Sequence, residues 1–239
     1  MDQGSRAQAA MARRSLLKPI GAVVARGARA WRKSAAGRWW QYDCTLIVYR
    51  IDRPVDTAGL DPVDVVVGRN RRDHFERFAK HARHLDRGTF LSTCERRILA
   101  GEQIYTVCPG EVLLAYAWMV PNQSRSWLTE VRRELRYPER SCVMYDAYTF
   151  PEARRRGYNT LLVGARIADA FLRFGAVSVF TSLVAGNEWA TRAKLATGFR
   201  PWKELGLSTR RGRSIRIERD LCADGAAHEG YLSSAENDP

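Results

Sequence analysis

The sequence predicts an α/β domain, a mixed twisted sheet flanked by helices, preceded by a basic N-terminal extension. Three observations carry the prediction. The run Cys142–Val184 reads as strand, basic loop, amphipathic helix and buried-type strand. Such a strand–helix–strand unit builds a sheet with a helix laid across one face. Upstream, Gln103–Cys108 and Glu111–Val120 flank Pro109-Gly110 and read as an antiparallel hairpin. The 239 residues, 45% of them hydrophobic, suffice for one medium domain with a full core.

Taken in order, the domain begins near Tyr42 with strand Cys44–Arg50, which ends at Asp52-Arg53-Pro54. Val63–Val67 is a second short strand. Arg71–His84 reads as a helix with Phe75, Phe78 and Ala82 on one side, and Thr89–Leu99 as another, closed by Gly101. After the hairpin, residues 121–140 have weak periodicity and read as a long loop or short helix. Strand Cys142–Thr149 follows. In helix Thr160–Phe174, Leu161, Leu162, Ala165, Ala168 and Leu172 recur at helical spacing, and Gly175 stops it. Strand Val177–Val184 leads to a short helix capped by Asn187, running to Ala196 and ending at Gly198. Phe199–Leu205 and Ser214–Glu218 form a last hairpin around Arg210-Arg211-Gly212. The expected division is a basic extension over 1–40, the folded domain over 41–222 and a disordered tail over 223–239.

The net charge of +13 is uneven. Residues 1–40 hold nine basic residues against Asp2, which gives +8 and leaves +5 for the remainder. The basicity therefore belongs mostly to the extension, which argues against nucleic acid as a partner of the folded domain. Leu16, Leu17, Ile20, Val23, Val24 and Trp31 among those arginines allow contact with an anionic membrane surface. A solvated arm and an export signal around Arg13-Arg14-Ser15-Leu16-Leu17 fit the same segment. Five cysteines without a C-x-x-C pair read as a reduced chain, expected in the cytoplasm or at the inner membrane face. His74, His81 and His84 share a predicted helix but lack a completing ligand, so solvated histidines and no metal are expected.

Function is concentrated in Pro151–Leu162. Arg154, Arg155, Arg156 and Gly157 precede a helix whose first backbone N–H groups lack intrahelical partners, a suitable setting for phosphates. Arg154-x-x-Gly157 after a strand and Pro151, together with Asn187-x-x-Ala190 and Gly198-Phe199 eight residues later, resembles the GNAT superfamily of acyl-CoA-dependent N-acetyltransferases. The resemblance covers Val143–Phe199 and implies a GNAT-like sheet. It implies acyl transfer, acetyl in the first instance, from acetyl-CoA or another acyl-CoA to a small-molecule, sugar or protein amine by direct attack. It further implies coenzyme contacts from Tyr148, Thr149, Arg154, Arg155, Arg156, Gly157, Tyr158, Asn159, Thr160 and Asn187. Asn159 departs from the family's Gly or Ala, and Lys194 from a tyrosine that protonates the leaving thiolate. Asp146, the acid inside the central strand, is the candidate base, with Glu130 as an alternative. Alternation places Asp146 on one face with Met144 and Tyr148. Lys194 is the candidate acid, with Tyr148 or Tyr158 in its stead. The departures also leave open a catalytically inactive module that binds acyl-CoA or a partner.

Overall fold

A computed structural model describes residues 42–52, 67–78, 86–210 and 213–221. The N-terminal extension, residues 63–66, His81, His84, the Arg211-Gly212 hairpin tip, Cys222 and the tail lie outside the described residues. The strands are β1 (Tyr42–Ile51), β2 (Val67–Arg69), β3 (Gln103–Val107), β4 (Ala115–Val120), β5 (Arg125–Leu128), β6 (Arg133–Arg136), β7 (Ser141–Thr149), β8 (Ser178–Val184), β9 (Arg200–Arg210) and β10 (Arg213–Asp220). The helices are α1 (Arg72–Glu76), α2 (Arg87–Leu99), α3 (Tyr158–Leu172) and α4 (Glu188–Ala196).

Among the described residues the main sheet has eight strands in the order β10-β9-β1-β8-β7-β4-β3-β2. All of its neighbours are antiparallel except β7 and β8, which run parallel. Parallel neighbours need a crossover, and α3 supplies it. The predicted mixed sheet flanked by helices is therefore present.

The core is laid on both faces of the sheet. Leu162, Val163, Ile167 and Ala170 of α3 pack on Tyr105, Ala117, Met119 and Met144. The opposite face carries Phe75, Phe78, Phe90 and Cys94 against Ile104, Tyr116 and Trp118. Along β7, Cys142 and Met144 face α3 while Val143 and Tyr145 face away, the alternation of a strand buried on both sides.

Four expectations are corrected. Residues 121–140 hold a two-stranded hairpin, β5 against β6, not a loop or helix. Its strands are too short to show a period, and its turn places Arg132 at φ 47°. Val131 and Leu135 nonetheless pack beneath it with Phe180. The segment from Cys108 to Leu114 is a longer connection than a tight Pro-Gly turn. Helix α1 ends at Glu76. His74 is not solvated: it is buried, with Nδ1 2.8 Å from Thr106 Oγ1, and burial lowers its pKa.

Candidate functional site

The site grows from a fork in the sheet. Strand β7 pairs with β8 only from Ser141↔Ser178 to Met144↔Thr181, although both strands continue beyond those points. At the same level β7 bulges. Tyr145 stands opposite Trp118 and Tyr148 opposite Tyr116, so Asp146 and Ala147 together face Ala117. Asp146 takes φ 48°, left-handed backbone that a non-glycine residue adopts only when its surroundings hold it. A bulge adds twist and re-aims side chains, which separates the two strand ends.

The bulge corrects the expected alternation of Asp146. Its carboxylate does not share a face with Met144, which packs under α3. It lies on the opposite face, with Tyr148. There Oδ2 accepts from Arg97 Nη1 at 2.8 Å, and the Arg97 guanidinium stacks over Trp118 and Tyr145. The Tyr145 hydroxyl in turn donates to Glu102 Oε2. Both members of the Arg97–Asp146 pair are largely shielded, with side chains 7% and 18% exposed. Arg97 is thus a site-adjacent residue missed by the reading above. The available signal was an arginine three residues after Cys94 and seven after Phe90, on the buried stripe of α2.

From the fork the chain turns through Pro151–Ala153 into the arginine loop. Arg155 at φ 65° and Gly157 at φ 77° bend it into the start of α3. Gly157 is the N-cap residue, with no side-chain cap, and no acid lies in the first turn. The N–H groups of Tyr158, Asn159 and Thr160 therefore precede the first intrahelical bond, Leu161 N–H to the Gly157 carbonyl at 3.1 Å. They form, with the helix dipole, an anion-accepting end. Asn159 belongs to the helix and is not among the left-handed residues. Arg154, Arg155 and Arg156 are exposed, and Arg154 Nε lies 3.4 Å from the Thr149 carbonyl.

The fork and the head of α3 open on one cavity of about 430 Å³, within the range of small-molecule sites, which Arg154, Arg155, Arg156 and Gly157 do not line. Tyr145, Asp146, Ala147 and Thr149 line it from β7; Asn159, Thr160, Val163 and Arg166 from α3; Thr181, Ser182 and Leu183 from β8; Asn187, Ala190, Ala193, Lys194 and Thr197 from α4 and its ends. Of the residues named from the sequence, this brings together Asp146, Thr149, Asn159, Thr160, Asn187 and Lys194. Tyr148 is not among them; its ring packs against Tyr116 and Phe150 on the other face. Tyr158 packs at the head of α3, and Glu130 sits in the β5–β6 turn away from the cavity. Asn187 Oδ1 caps α4 by accepting from Ala190 N–H at 3.2 Å, so its amide N–H₂ is the group available to a ligand.

Two buried basic side chains give the cavity its electrostatics. Lys194 is 9% exposed, and burial, with the neighbouring Arg166, pushes its pKa down to about 7. Arg166 is fully buried and pushed down by burial to about 9, which leaves it charged at neutral pH. Arg166 too was missed. Its signal was position: it falls between Leu162 and Ala170 at spacings of four, on the core face of α3. Among the described residues no group of three metal-binding side chains occurs.

No family model and no curated protein matches the chain. Solved structures with a similar course of chain include AAC(6')-Iy in complex with the bisubstrate analogue CoA-S-monomethyl-acetylneamine. It is 15% identical over 57% of this chain and 90% of that one, with a TM-score of 0.45. A protein from Novosphingobium aromaticivorans described as an acetyltransferase of the GNAT family is 21% identical over 69% of this chain and 62% of that one, TM-score 0.47. A tandem GNAT protein from the clavulanic acid biosynthesis pathway is 14% identical over 78% and 59%, TM-score 0.47. The chain thus spans nearly all of the first protein but about three fifths of the other two.

Proposed function

We propose that the protein is an acyl-CoA-dependent N-acyltransferase whose thioester substrate lies in the fork between β7 and β8. The observation that carries this reading is the continuity of one cavity. It runs from an uncapped helix N-terminus suited to phosphates to the β8-facing edge of β7, where the ladder with β8 ends at Met144 while β7 stays paired to β4. An extended, amide-containing arm can add to such an edge as a further strand would. The coenzyme's phosphates rest on Tyr158, Asn159 and Thr160 N–H groups with charge from Arg154–Arg156, and Asn187 contacts the arm from α4.

In the reaction a neutral amine attacks the thioester carbonyl. The N–C bond forms, the C–S bond breaks, the amine's proton passes to a base and the departing thiolate takes up a proton. Lys194 is the proton donor best placed for the thiolate, because it lines the cavity and its lowered pKa suits proton transfer near pH 7. Backbone N–H groups at the bulge hold the carbonyl oxygen as charge develops. Asp146 is the candidate base and reaches the amine from the α2 side of the sheet. The acceptor is a small-molecule, sugar or protein amine.

The test is release of free thiol from acetyl-CoA with a panel of primary amines, followed continuously with a thiol reagent. Amine-dependent release supports the reading. The Asp146–Arg97 pair favours a second reading, in which the carboxylate is a structural partner and the protein binds acyl-CoA without turnover. Tight coenzyme binding with no release from any amine, whether acetyl-CoA or a longer or carboxylated acyl-CoA is the donor, would select that second reading.

A further inference from the structure

The cavity is lined by a buried guanidinium, Arg166, and a buried amine, Lys194, and has no carboxylate of its own to answer them. Arg166 Nε donates to the Leu162 carbonyl at 3.0 Å and Nη1 to the Trp118 carbonyl at 3.1 Å, while Nη2 is buried with no acceptor. Trp118 stands opposite Tyr145, the residue before the bulge, so the guanidinium meets the sheet at the base of the fork. Lys194 Nζ lies 5.3 Å from the centre of the Phe199 ring and has no hydrogen bond or ion pair among the described residues. Of the lining residues only Asp146 is acidic, and Arg97 holds its carboxylate on the other face of the sheet. Near Arg166 the Tyr105 hydroxyl is also committed, donating to Asp169 at 2.9 Å.

Burying a charge without a partner is costly, and a bound anion offsets that cost. The coenzyme's phosphates are not that anion in this reading. They belong at the start of α3, and Arg166 lies eight residues further on, roughly 12 Å along the axis. The unpartnered Nη2 of a planar guanidinium suits a carboxylate oxygen better than a point charge does. Resting on the acyl-CoA reading above, we propose that Arg166 and Lys194 form a carboxylate site for the acyl group. The preferred donor is then a short ω-carboxyacyl-CoA, of which succinyl-CoA is the simplest probe, not acetyl-CoA. The same carboxylate favours the protonated form of Lys194, the form that can later supply a proton to the thiolate.

Equilibrium titration of the full chain with coenzyme A, acetyl-CoA, butyryl-CoA and succinyl-CoA tests this without an acceptor. The expected result is succinyl-CoA bound about tenfold or more tightly than acetyl-CoA and butyryl-CoA. Arg166→Met and Lys194→Met should each bring the succinyl-to-butyryl ratio close to one. Should Arg166→Met fail to fold, the wild-type ratio and Lys194→Met decide. Equal affinities for butyryl-CoA and succinyl-CoA, alongside measurable coenzyme A binding, would overturn the carboxylate site and leave the acyl-CoA reading standing. Absence of binding by all four, coenzyme A included, would remove the acyl-CoA reading and this inference with it.

Discussion

Lys194 links burial to pH. In the unfolded chain a lysine keeps its proton up to about pH 10.5, whereas the folded chain releases it near pH 7. Between those values the unfolded state binds more protons, so folded stability rises with pH across that window. The charge penalty is fully present below pH 7, on the order of 5 kcal/mol, and is gone above pH 10.5. Lys194→Met, studied without ligand, should therefore raise the melting temperature most at pH 6, with the gain shrinking by pH 9.5. A pH-independent difference would show that Lys194 is not held in a lowered state. Asp146 behaves oppositely on truncation. Asp146→Ala leaves the buried Arg97 without its nearest carboxylate, although Glu102 remains 3.9 Å away. The expected loss is about 3 kcal/mol in urea unfolding, so any loss of turnover must be read against the folded fraction. Neither partner's role was legible from residue type alone. Asp146 was visible as an acid within a strand, but its side depends on a bulge. Arg97 and Arg166 each break an apolar stripe, and a single arginine on such a stripe does not reveal what it meets across the core.

Among elements, the β7–loop–α3 unit was the most legible, because its signals are local. A proline opens the turn, a glycine must take positive φ, and apolar residues then recur at three and four. The helix starts two residues earlier than its apolar spacing suggests, at Tyr158, which moves Asn159 from loop to helix. Gly157→Ala should cost about 1–2 kcal/mol, the cost of placing a Cβ in left-handed backbone. Open space around that Cβ means that the cost is conformational and not a clash. Chemical denaturation measures it, and an unchanged midpoint would contradict the geometry. Thr160→Asp places a negative charge in a first turn that now holds no acid. It should lower coenzyme A affinity about tenfold by opposing the phosphates. Affinity unchanged by that substitution would argue that the phosphates lie elsewhere. The β5–β6 hairpin was illegible for the opposite reason. Its strands span four residues each, and the packing of Val131 and Leu135 that holds them is made with distant parts of the chain.

For the whole molecule, the class of fold followed from counting strands and helices, but the order of strands did not. β1, first in sequence, lies between β8 and β9 and pairs with both. No local pattern encodes a partner more than a hundred residues away; the pairing is selected by burial of Leu46 and Val48 with Leu205 and Leu207, and of Tyr49 with the α3-side core. That order places β8 beside β7, and the bulge at Asp146–Ala147, where their pairing stops, opens the fork on which the functional reading depends. Hydrogen exchange with and without saturating acetyl-CoA tests the fork most directly. Slowed exchange in two segments, Tyr145–Thr149 of β7 and Tyr158–Thr160 at the head of α3, is the predicted result. Binding that leaves both segments unchanged and protects a different surface would contradict it.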